Sequence, residues 1–356
     1  MDGSLTQLCR FFKAVRQTDH PLALATILGT EGSTYRKMGA RILIAQQAGS
    51  SSLLSGGCLE GELREHALRV MSDRRPQRVR FDTRNDDPLW GVGLGCEGAM
   101  EVWIEPVDAA NGYGPMPYLQ QCLTRGESGV LATVVGGEAT PAELGRFAFA
   151  GQAPADALAG ALQSLLSQPA GLQRLCFDGR ALQVSVSQVV LPAHILLCGA
   201  GRDAVPVNDL ATALGWLVTV YDHRPALAVA ETFPRARRVL LGRPEELARQ
   251  VDLARIDAAI IMSHHLESDV RYLDVLSATS MRYIGLLGPK ARRERILAEL
   301  GRPLGDALPR VHGPVGLDIG AATPEAIALA IIAQMHASLA QRSGGHFDRR
   351  GSLPAG

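Results

Sequence analysis

Residues 194–204, with the sequence HILLCGAGRDA, decide the fold, because an apolar strand-like run leads into a G-x-G-x-x-A turn and the start of a helix. A second apolar strand is predicted at 216–221. It ends at Asp222, about twenty residues beyond the glycines, as the dinucleotide-binding fingerprint requires. Gly199 and Gly201 would let a pyrophosphate approach the helix N-terminus, and Asp222 would accept a hydrogen bond from a ribose hydroxyl. The alternative is a Rossmann domain that binds a ligand other than a dinucleotide.

Beyond this stretch, short apolar strands alternate with amphipathic helices, which predicts a parallel, doubly wound sheet. Ligands of such sheets bind outside the carboxyl ends of the strands. His264 and Gly288 follow predicted strands, and Asp318 lies in a glycine-flanked segment, so all three are candidate ligand contacts. A capping or loop role for His264 fits the sequence equally well. Arg292 and Arg295, on a later helix, are expected to be solvated.

A cysteine framed by glycines stands out in the first half of the chain, in the sequence SGGCLEGE at residues 55–62. Gly56 and Gly57 permit a turn before a helix predicted over 59–72, so Cys58 would lie at or near the helix N-terminus. The positive end of a helix dipole favours a thiolate, which is a soft metal ligand. Cys58 is therefore the candidate metal contact. A small buried apolar role is the alternative.

Two further loops have a similar character. Cys96 lies in WGVGLGCEG, residues 90–98, where four glycines would let a ligand approach closely, so two thiols could face one ligand. The chain contains no C-x-x-C motif, which argues against a structural zinc site. Strands are predicted at 22–28 and 41–45. Between them lie Ser33, Thr34 and Arg36, whose side chains, with glycine N–H groups, would form an anion-binding nest. An ordinary solvated turn is the alternative.

Net charge and the distribution of apolar residues indicate which partners and which cellular location to expect. The 356 residues carry 36 Lys and Arg against 36 Asp and Glu, a formal net charge of 0, which does not favour a nucleic-acid or anionic-membrane partner. No signal peptide and no membrane-length apolar run is visible in the sequence, so we expect a cytoplasmic protein whose six cysteines stay reduced.

The length suits two domains. We expect a mixed α/β domain at 1–150, a connecting helix and strands at 151–192, a Rossmann-like parallel-sheet domain at 193–340 and a polar tail at 341–356. A helix over 154–166, with proline at its first position, is predicted within the connection. The last helix is predicted to begin at Pro324, with Thr323 as its N-cap.

Eight segments together resemble the XdhC/CoxI family, the accessory proteins of molybdenum hydroxylases such as xanthine dehydrogenase. They span most of the chain in order: GSTYRKMGAR at 32–41, SGGCLEGE at 55–62, GLGCEG at 93–98, LLCGAGRDAVPV at 196–207, LGWLVTVYDHRPA at 214–226, MSHHLESD at 262–269, YIGLLGPKARRERIL at 283–297 and HGPVGLDIGAATPEAIALAI at 312–331. Cys58 matches the glycine-framed cysteine of the family. The second cysteine loop carries Glu97 where a further glycine is expected.

The resemblance implies a two-domain accessory protein that binds the molybdenum cofactor, supports its sulfuration with a cysteine desulfurase and delivers it to a hydroxylase of the xanthine or CO dehydrogenase type. The cofactor, as molybdopterin or its cytosine dinucleotide, would be carried rather than used, and a homodimer is possible. The other hypothesis is an NAD(P)-dependent oxidoreductase that uses the fingerprint around Gly199. No nucleophile and base pair is legible in the sequence, which favours an accessory protein over a catalyst.

Overall fold

The computed structural model describes residues 4–17, 20–54, 59–82 and 98–346. Contacts within the chain divide the described residues into two compact units. We call Ser4–Leu191 the N-terminal unit and the residues from Pro192 onward the C-terminal unit. Each unit has its own sheets and its own apolar clusters.

The N-terminal unit begins with a five-stranded antiparallel sheet of strand order β3-β2-β1-β5-β4. The helices and strands in this part of the chain are α1 (Ser4–Arg16), β1 (Leu22–Gly32), β2 (Arg41–Ala45), β3 (Gly49–Ser50), α2 (Glu60–Asp73), β4 (Gln77–Asp82) and β5 (Gly98–Val107). Side chains of β1 alternate between the two faces of the sheet, since successive residues of a strand point in opposite directions. Leu22 and Leu24 pack in the cluster that contains α1, and Ala23 and Ala25 pack in the cluster that contains α2.

A second antiparallel sheet, of strand order β7-β6-β9-β8, completes this unit. Its elements are α3 (Met116–Arg125), β6 (Gly129–Gly137), β7 (Phe147–Phe149), α4 (Ala157–Gln163), β8 (Gly171–Phe177) and β9 (Arg180–Val189). The segment expected to connect the domains, 151–192, thus supplies α4 and two strands of this sheet.

Two sequence-based expectations about element ends are wrong. The helix predicted from Pro154 begins at Ala157 instead, because the side chain of Asp156 accepts a hydrogen bond from the Ala159 N–H and caps the helix there. The first strand continues past its predicted end at Leu28 to Gly32, because its last residues stay paired with β5.

The C-terminal unit contains a six-stranded parallel sheet of order β12-β11-β10-β13-β14-β15. Its elements are β10 (His194–Cys198), α5 (Ala204–Ala213), β11 (Leu217–Asp222), β12 (Arg238–Leu241), α6 (Leu247–Gln250), β13 (Ala258–Ile261), α7 (Leu266–Ser277), β14 (Tyr283–Leu286), α8 (Lys290–Leu300), β15 (Val311–His312) and α9 (Pro324–Leu339). This is the strand order of the Rossmann fold. The chain adds strands toward one edge of the sheet from β10 to β12 and toward the opposite edge from β13 to β15. The predicted fold class is confirmed.

Helices cover both faces of this sheet. Residues of α5 and α9 pack on one side and residues of α7 and α8 on the other. The last helix begins as the sequence predicted, with Thr323 accepting a hydrogen bond from the Ala326 N–H and Pro324 in the first turn.

Candidate functional site

The first candidate region is the loop of residues 33–40 in the N-terminal unit, which we call the cationic loop. The pairing of β1 with β5 continues to Gly32 opposite Gly98, so the chain enters this loop beside the first residue of β5. A Cβ at Gly98 would collide with the Ser33 carbonyl oxygen and would lie 3.0 Å from the Glu31 carbonyl oxygen. The backbone approach at this point therefore requires glycine.

Hydrogen bonds tie the cationic loop to the segment that precedes α2. The Thr34 hydroxyl donates to the Arg36 carbonyl oxygen at 3.0 Å, and Arg36 Nε donates to the Leu53 carbonyl oxygen at 3.2 Å. Next to Leu53, the Leu54 N–H donates to Glu60 Oε1 at 3.0 Å. The loop thus lies against Leu53, which precedes 55–58, and Glu60, which follows 55–58, is bonded to the neighbouring Leu54.

Four predicted contacts lie outside the described residues, namely Gly56, Gly57, Cys58 and Cys96. Their neighbours in sequence are described. Glu60 follows Cys58 by two residues, and Gly98 follows Cys96 by two. Leu53, shortly before Cys58, and Gly98, shortly after Cys96, both lie against the cationic loop.

The cationic loop also exposes large side chains. Tyr35 is 64% exposed and Met38 39%, and Leu53, whose carbonyl Arg36 contacts, is 44% exposed. Lys37 is exposed as well. This surface combines apolar side chains with cations.

The second candidate region is the glycine turn, residues 199–204, at the carboxyl end of β10. Gly199 has φ +134°, and a Cβ there would lie 2.8 Å from the Ser263 N. Its absence of a side chain lets β10 approach the end of β13. Glycine is therefore required at position 199 because a side chain would collide with the backbone after β13.

Gly201 lies beside a contact between Asp203 and His264 that the spacing of the motif did not predict. A Cβ at Gly201 would lie 2.6 Å from Asp203 Oδ1. Asp203 Oδ2 in turn lies 2.8 Å from Nε2 of His264, which has a φ of +62°. His264, a candidate ligand contact, is thus paired with a carboxylate, and the neighbouring His265 caps α7 by accepting from the Ser268 N–H.

Asp222 is fully buried and accepts four hydrogen bonds. Its Oδ1 accepts from the N–H and Nε of Arg224, both at 2.9 Å, and its Oδ2 accepts from the Ala200 N–H and Arg224 Nη2, both at 2.7 Å. Burial by itself would raise the pKa of Asp222, but these donors reverse the effect and lower it. Four bonds fill the acceptor capacity of a carboxylate.

The remaining candidates of the C-terminal unit differ in their surroundings. Gly288 has φ +122°, and a Cβ there would lie 2.6 Å from Arg292 Cδ. The expectation that Arg292 is solvated is wrong, since its Nη2 donates to Oδ2 of the buried Asp269 at 2.7 Å. Asp318 is exposed, and its side chain makes no hydrogen bond or ion pair with any other described residue. Arg295 is exposed and pairs with Glu299 on its own helix.

A buried polar cluster between the two sheets of the N-terminal unit also escaped the sequence analysis. Arg41 donates its Nη2 to the Ser187 hydroxyl at 2.6 Å, and both residues line a cavity of about 10 Å³ together with Glu105. Burial raises the pKa of Glu105 to about 8, although the Arg41 charge opposes the shift. Arg41 and Ser187 are 146 residues apart, so no local sequence signal could link them.

The described residues lack two further features. In the ranges given above, no cluster of three or more His, Cys, Asp or Glu side chains is arranged to hold a metal ion. No helix in the same ranges has the length and apolar character needed to span a bilayer.

Comparison with known proteins gives a consistent result. The sequence pattern of the XdhC and CoxI family matches residues 15–82, and that of the XdhC Rossmann domain matches residues 195–335. The chain is 30% identical over 327 residues to a probable xanthine dehydrogenase subunit of Bacillus subtilis (strain 168), covering 90% of this chain and 94% of that protein. It is 22% identical over 331 residues to the molybdenum cofactor insertion chaperone PaoD of Escherichia coli (strain K12), covering 92% and 86%.

A solved structure is similar to most of this chain. The crystal structure of a xanthine dehydrogenase from Bacillus halodurans has a TM-score of 0.74 to this chain and 28% sequence identity, with coverage of 96% of this chain and 97% of that one. The chain therefore belongs to the XdhC and CoxI family.

Proposed function

We propose that this protein is a maturation factor that binds the molybdenum cofactor at the cationic loop, supports its sulfuration and delivers it to a molybdenum hydroxylase. One observation carries the proposal. The contacts of Arg36 with Leu53 and of Ser33 with Gly98 hold the loop against the flanks of both cysteine segments. Two relatives support the same role by their names, which refer to a component of xanthine dehydrogenase and to a cofactor insertion chaperone.

The chemistry of these groups fits such a cargo. A pterin cofactor carries a phosphate, and guanidinium, ammonium and hydroxyl groups such as those of Arg36, Lys37 and Thr34 bind phosphate well. Molybdenum with sulfur ligands is soft, and thiolates such as Cys58 and Cys96 are the protein groups that match it. Gly98 provides a backbone without a side chain next to this loop. A relative named as a cofactor insertion chaperone supports carriage, so we propose that the cofactor is carried rather than used.

We propose two protein partners, a hydroxylase of the xanthine or CO dehydrogenase type and a cysteine desulfurase, with the protein acting in the cytoplasm. Whether the cofactor is the mononucleotide or the cytosine dinucleotide form, and whether the protein forms a homodimer, stay predictions. Tyr35 and Met38 are exposed within the loop, and Leu53 is exposed next to it. Aromatic residues, methionine and arginine are enriched at protein interfaces, so this surface is where we propose that a partner docks.

Cofactor retention tests the proposal directly. The protein is purified from cells with an intact cofactor pathway, and its molybdenum and pterin contents are measured per chain. Cys58→Ala and Cys58→Ser should both lose most of the cofactor, because a hydroxyl lacks the soft sulfur. Arg36→Ala should weaken retention by about tenfold, the loss of one charge-assisted hydrogen bond.

Matched controls separate binding from folding. Cys176→Ala removes an exposed cysteine of β8, and Arg10→Ala removes an exposed arginine of α1. Both should retain the wild-type cofactor content. Wild-type content in Cys58→Ala, or an equal loss in Cys176→Ala, contradicts the proposal.

Sulfuration of the cofactor and its delivery to the hydroxylase are tested by a separate measurement. Protein loaded with cofactor is incubated with a cysteine desulfurase and cysteine, and the cyanide-labile sulfur on the cofactor is determined before transfer to a hydroxylase lacking it. Sulfur gained only in the presence of this protein supports a role in sulfuration. Cofactor that is transferred but never gains sulfur there restricts the role to delivery.

The predicted contacts Gly199, Gly201, Asp222, Gly288 and Asp318 stay predictions for this function. At Asp222 a ligand hydroxyl would have to displace Arg224, and at Gly201 a phosphate would meet the carboxylate over the turn.

A further inference from the structure

The glycine turn of the C-terminal unit presents a carboxylate where the fingerprint expects phosphate. The second glycine of that fingerprint lacks a side chain so that the backbone can approach a pyrophosphate. Here the corresponding residue is Gly201, and the space that its Cβ would take lies 2.6 Å from Asp203 Oδ1. The open face of the turn is therefore covered by an anionic group of the chain itself.

The position of this carboxylate is stabilised from two directions. Asp203 directly precedes α5, whose N-terminal end carries a partial positive charge that favours an anion. On the other side His264 Nε2 lies 2.8 Å from Asp203 Oδ2. His264 belongs to the segment after β13 and has a left-handed φ of +62°, so the backbone there places the ring toward the turn.

The ribose side of the fingerprint is also satisfied internally. All four acceptor positions of Asp222 are used by Arg224 and by the Ala200 N–H. The Ala200 N–H belongs to the turn itself and donates to Asp222. This backbone donor near the phosphate position is therefore not free to bind a phosphate. Both polar elements that recognise a dinucleotide are thus engaged within the chain.

We propose that Asp203 is a specificity-determining residue that excludes dinucleotide phosphates from the glycine turn, with His264 as the positioning residue that holds its carboxylate there. The Rossmann-like unit of this chain then does not take up a nicotinamide dinucleotide, and the alternative of an NAD(P)-dependent oxidoreductase is disfavoured by its own fingerprint. This inference is independent of cofactor binding at the cationic loop, because it concerns only residues of the C-terminal unit.

NADH is the probe, since its fluorescence reports binding directly, and calorimetry with NAD⁺ repeats the measurement. Asp203→Ser removes the charge and leaves a residue that can still precede a helix. We expect wild-type protein to bind NADH very weakly and Asp203→Ser to bind it at least about tenfold more tightly. His264→Ala should give a smaller gain, because Asp203 keeps its charge but loses its partner.

Asp209→Ser is the matched control, since it removes one carboxylate from the same helix without touching the turn. It should bind NADH as weakly as the wild type. If Asp203→Ser does not fold, Asp203→Asn removes the charge at constant shape and should still gain affinity. Wild-type protein that binds NADH as tightly as the Asp203 variants, or a folded Asp203 variant that gains nothing over Asp209→Ser, overturns the proposal.

Discussion

Glu105 in the N-terminal unit and Asp222 in the C-terminal unit are both buried carboxyls, yet their pKa values shift in opposite directions. Their exposed fractions are 5% and 0%. Burial raises the pKa of Glu105 to about 8, whereas the pKa of Asp222 is lowered. Burial alone therefore does not determine whether a carboxyl carries its charge.

Direct hydrogen-bond donors account for the difference. Asp222 receives two bonds from the Arg224 side chain and two from backbone N–H groups, which stabilise the carboxylate at short range. Arg41 donates its Nη2 to Ser187, so it acts on Glu105 as a nearby charge. This attraction and a weaker contribution from the Trp103 side chain do not offset the loss of water. A buried carboxyl is thus stabilised as an anion when donors contact it directly.

The largest expected effect comes from removing the donors of Asp222. Arg224→Leu takes away both hydrogen bonds that the guanidinium donates and leaves a buried charge without its cation. We expect a loss of about 3 kcal/mol in the free energy of unfolding at pH 7. Urea unfolding followed by circular dichroism measures it.

The control for this change is Arg249→Leu, which removes an exposed arginine of α6 in the same unit. Its effect should stay within about 0.5 kcal/mol. Adding Asp222→Asn to Arg224→Leu should restore part of the stability, because no buried charge remains. A single variant Arg224→Leu with wild-type stability would show that water replaces the guanidinium, and the comparison of the two carboxyls would break down.

Sequence periodicity and capping signals predicted the parts of the fold that depend on local chemistry. The strand at Arg41–Ala45 and the start of α9 after Thr323 lie where they were predicted, since apolar runs and a threonine cap act over a few residues. The end of β1 at Gly32 depends on its partner β5, which lies far along the chain. Pairing of that kind is not encoded in the strand itself.

The same limit applies to the candidate sites. The glycine turn and Asp222 were found from their spacing, but the side chains that engage them were not. Arg224 lies two residues after Asp222, and a D-x-R pattern at a strand end could have indicated the pair. Asp203 and His264 are 61 residues apart, so only the fold brings them together.

A pH series on Glu105→Gln sharpens the comparison from the other side. The folded-state pKa of Glu105, about 8, lies above its ordinary value of 4.5, so between these values the folded chain holds a proton that the unfolded chain has lost. Stability from this group is complete below pH 4.5 and is lost as the pH rises toward 8. Wild-type protein should lose about 1.4 kcal/mol per pH unit relative to Glu105→Gln, about 2 kcal/mol between roughly pH 6 and pH 7.5.

The measurement is the difference in unfolding free energy between the two proteins at each pH, in which the titration of other groups cancels. Arg41 stays protonated over this window, since burial lowers its pKa only to about 10. A difference that stays flat across the window would mean that Glu105 is already ionised in the folded chain. The two carboxyls would then behave alike, and the contrast between them would be lost.

The smallest expected effect isolates the hydrogen bond that holds Arg41. Ser187→Ala removes the acceptor of Arg41 Nη2, and we expect a loss of about 1 to 2 kcal/mol, the cost of leaving a buried donor without its partner. Ser185→Ala is the matched control, because Ser185 lies two residues earlier on the same face of β9, is equally buried and has no hydrogen bond to Arg41 within the described chain. Urea unfolding at pH 7 should separate the two variants by about 1 kcal/mol. Equal losses in both would assign the cost to the hydroxyl-lined cavity as a whole, whereas a loss confined to Ser187→Ala would show that one neutral acceptor keeps the guanidinium in place opposite Glu105.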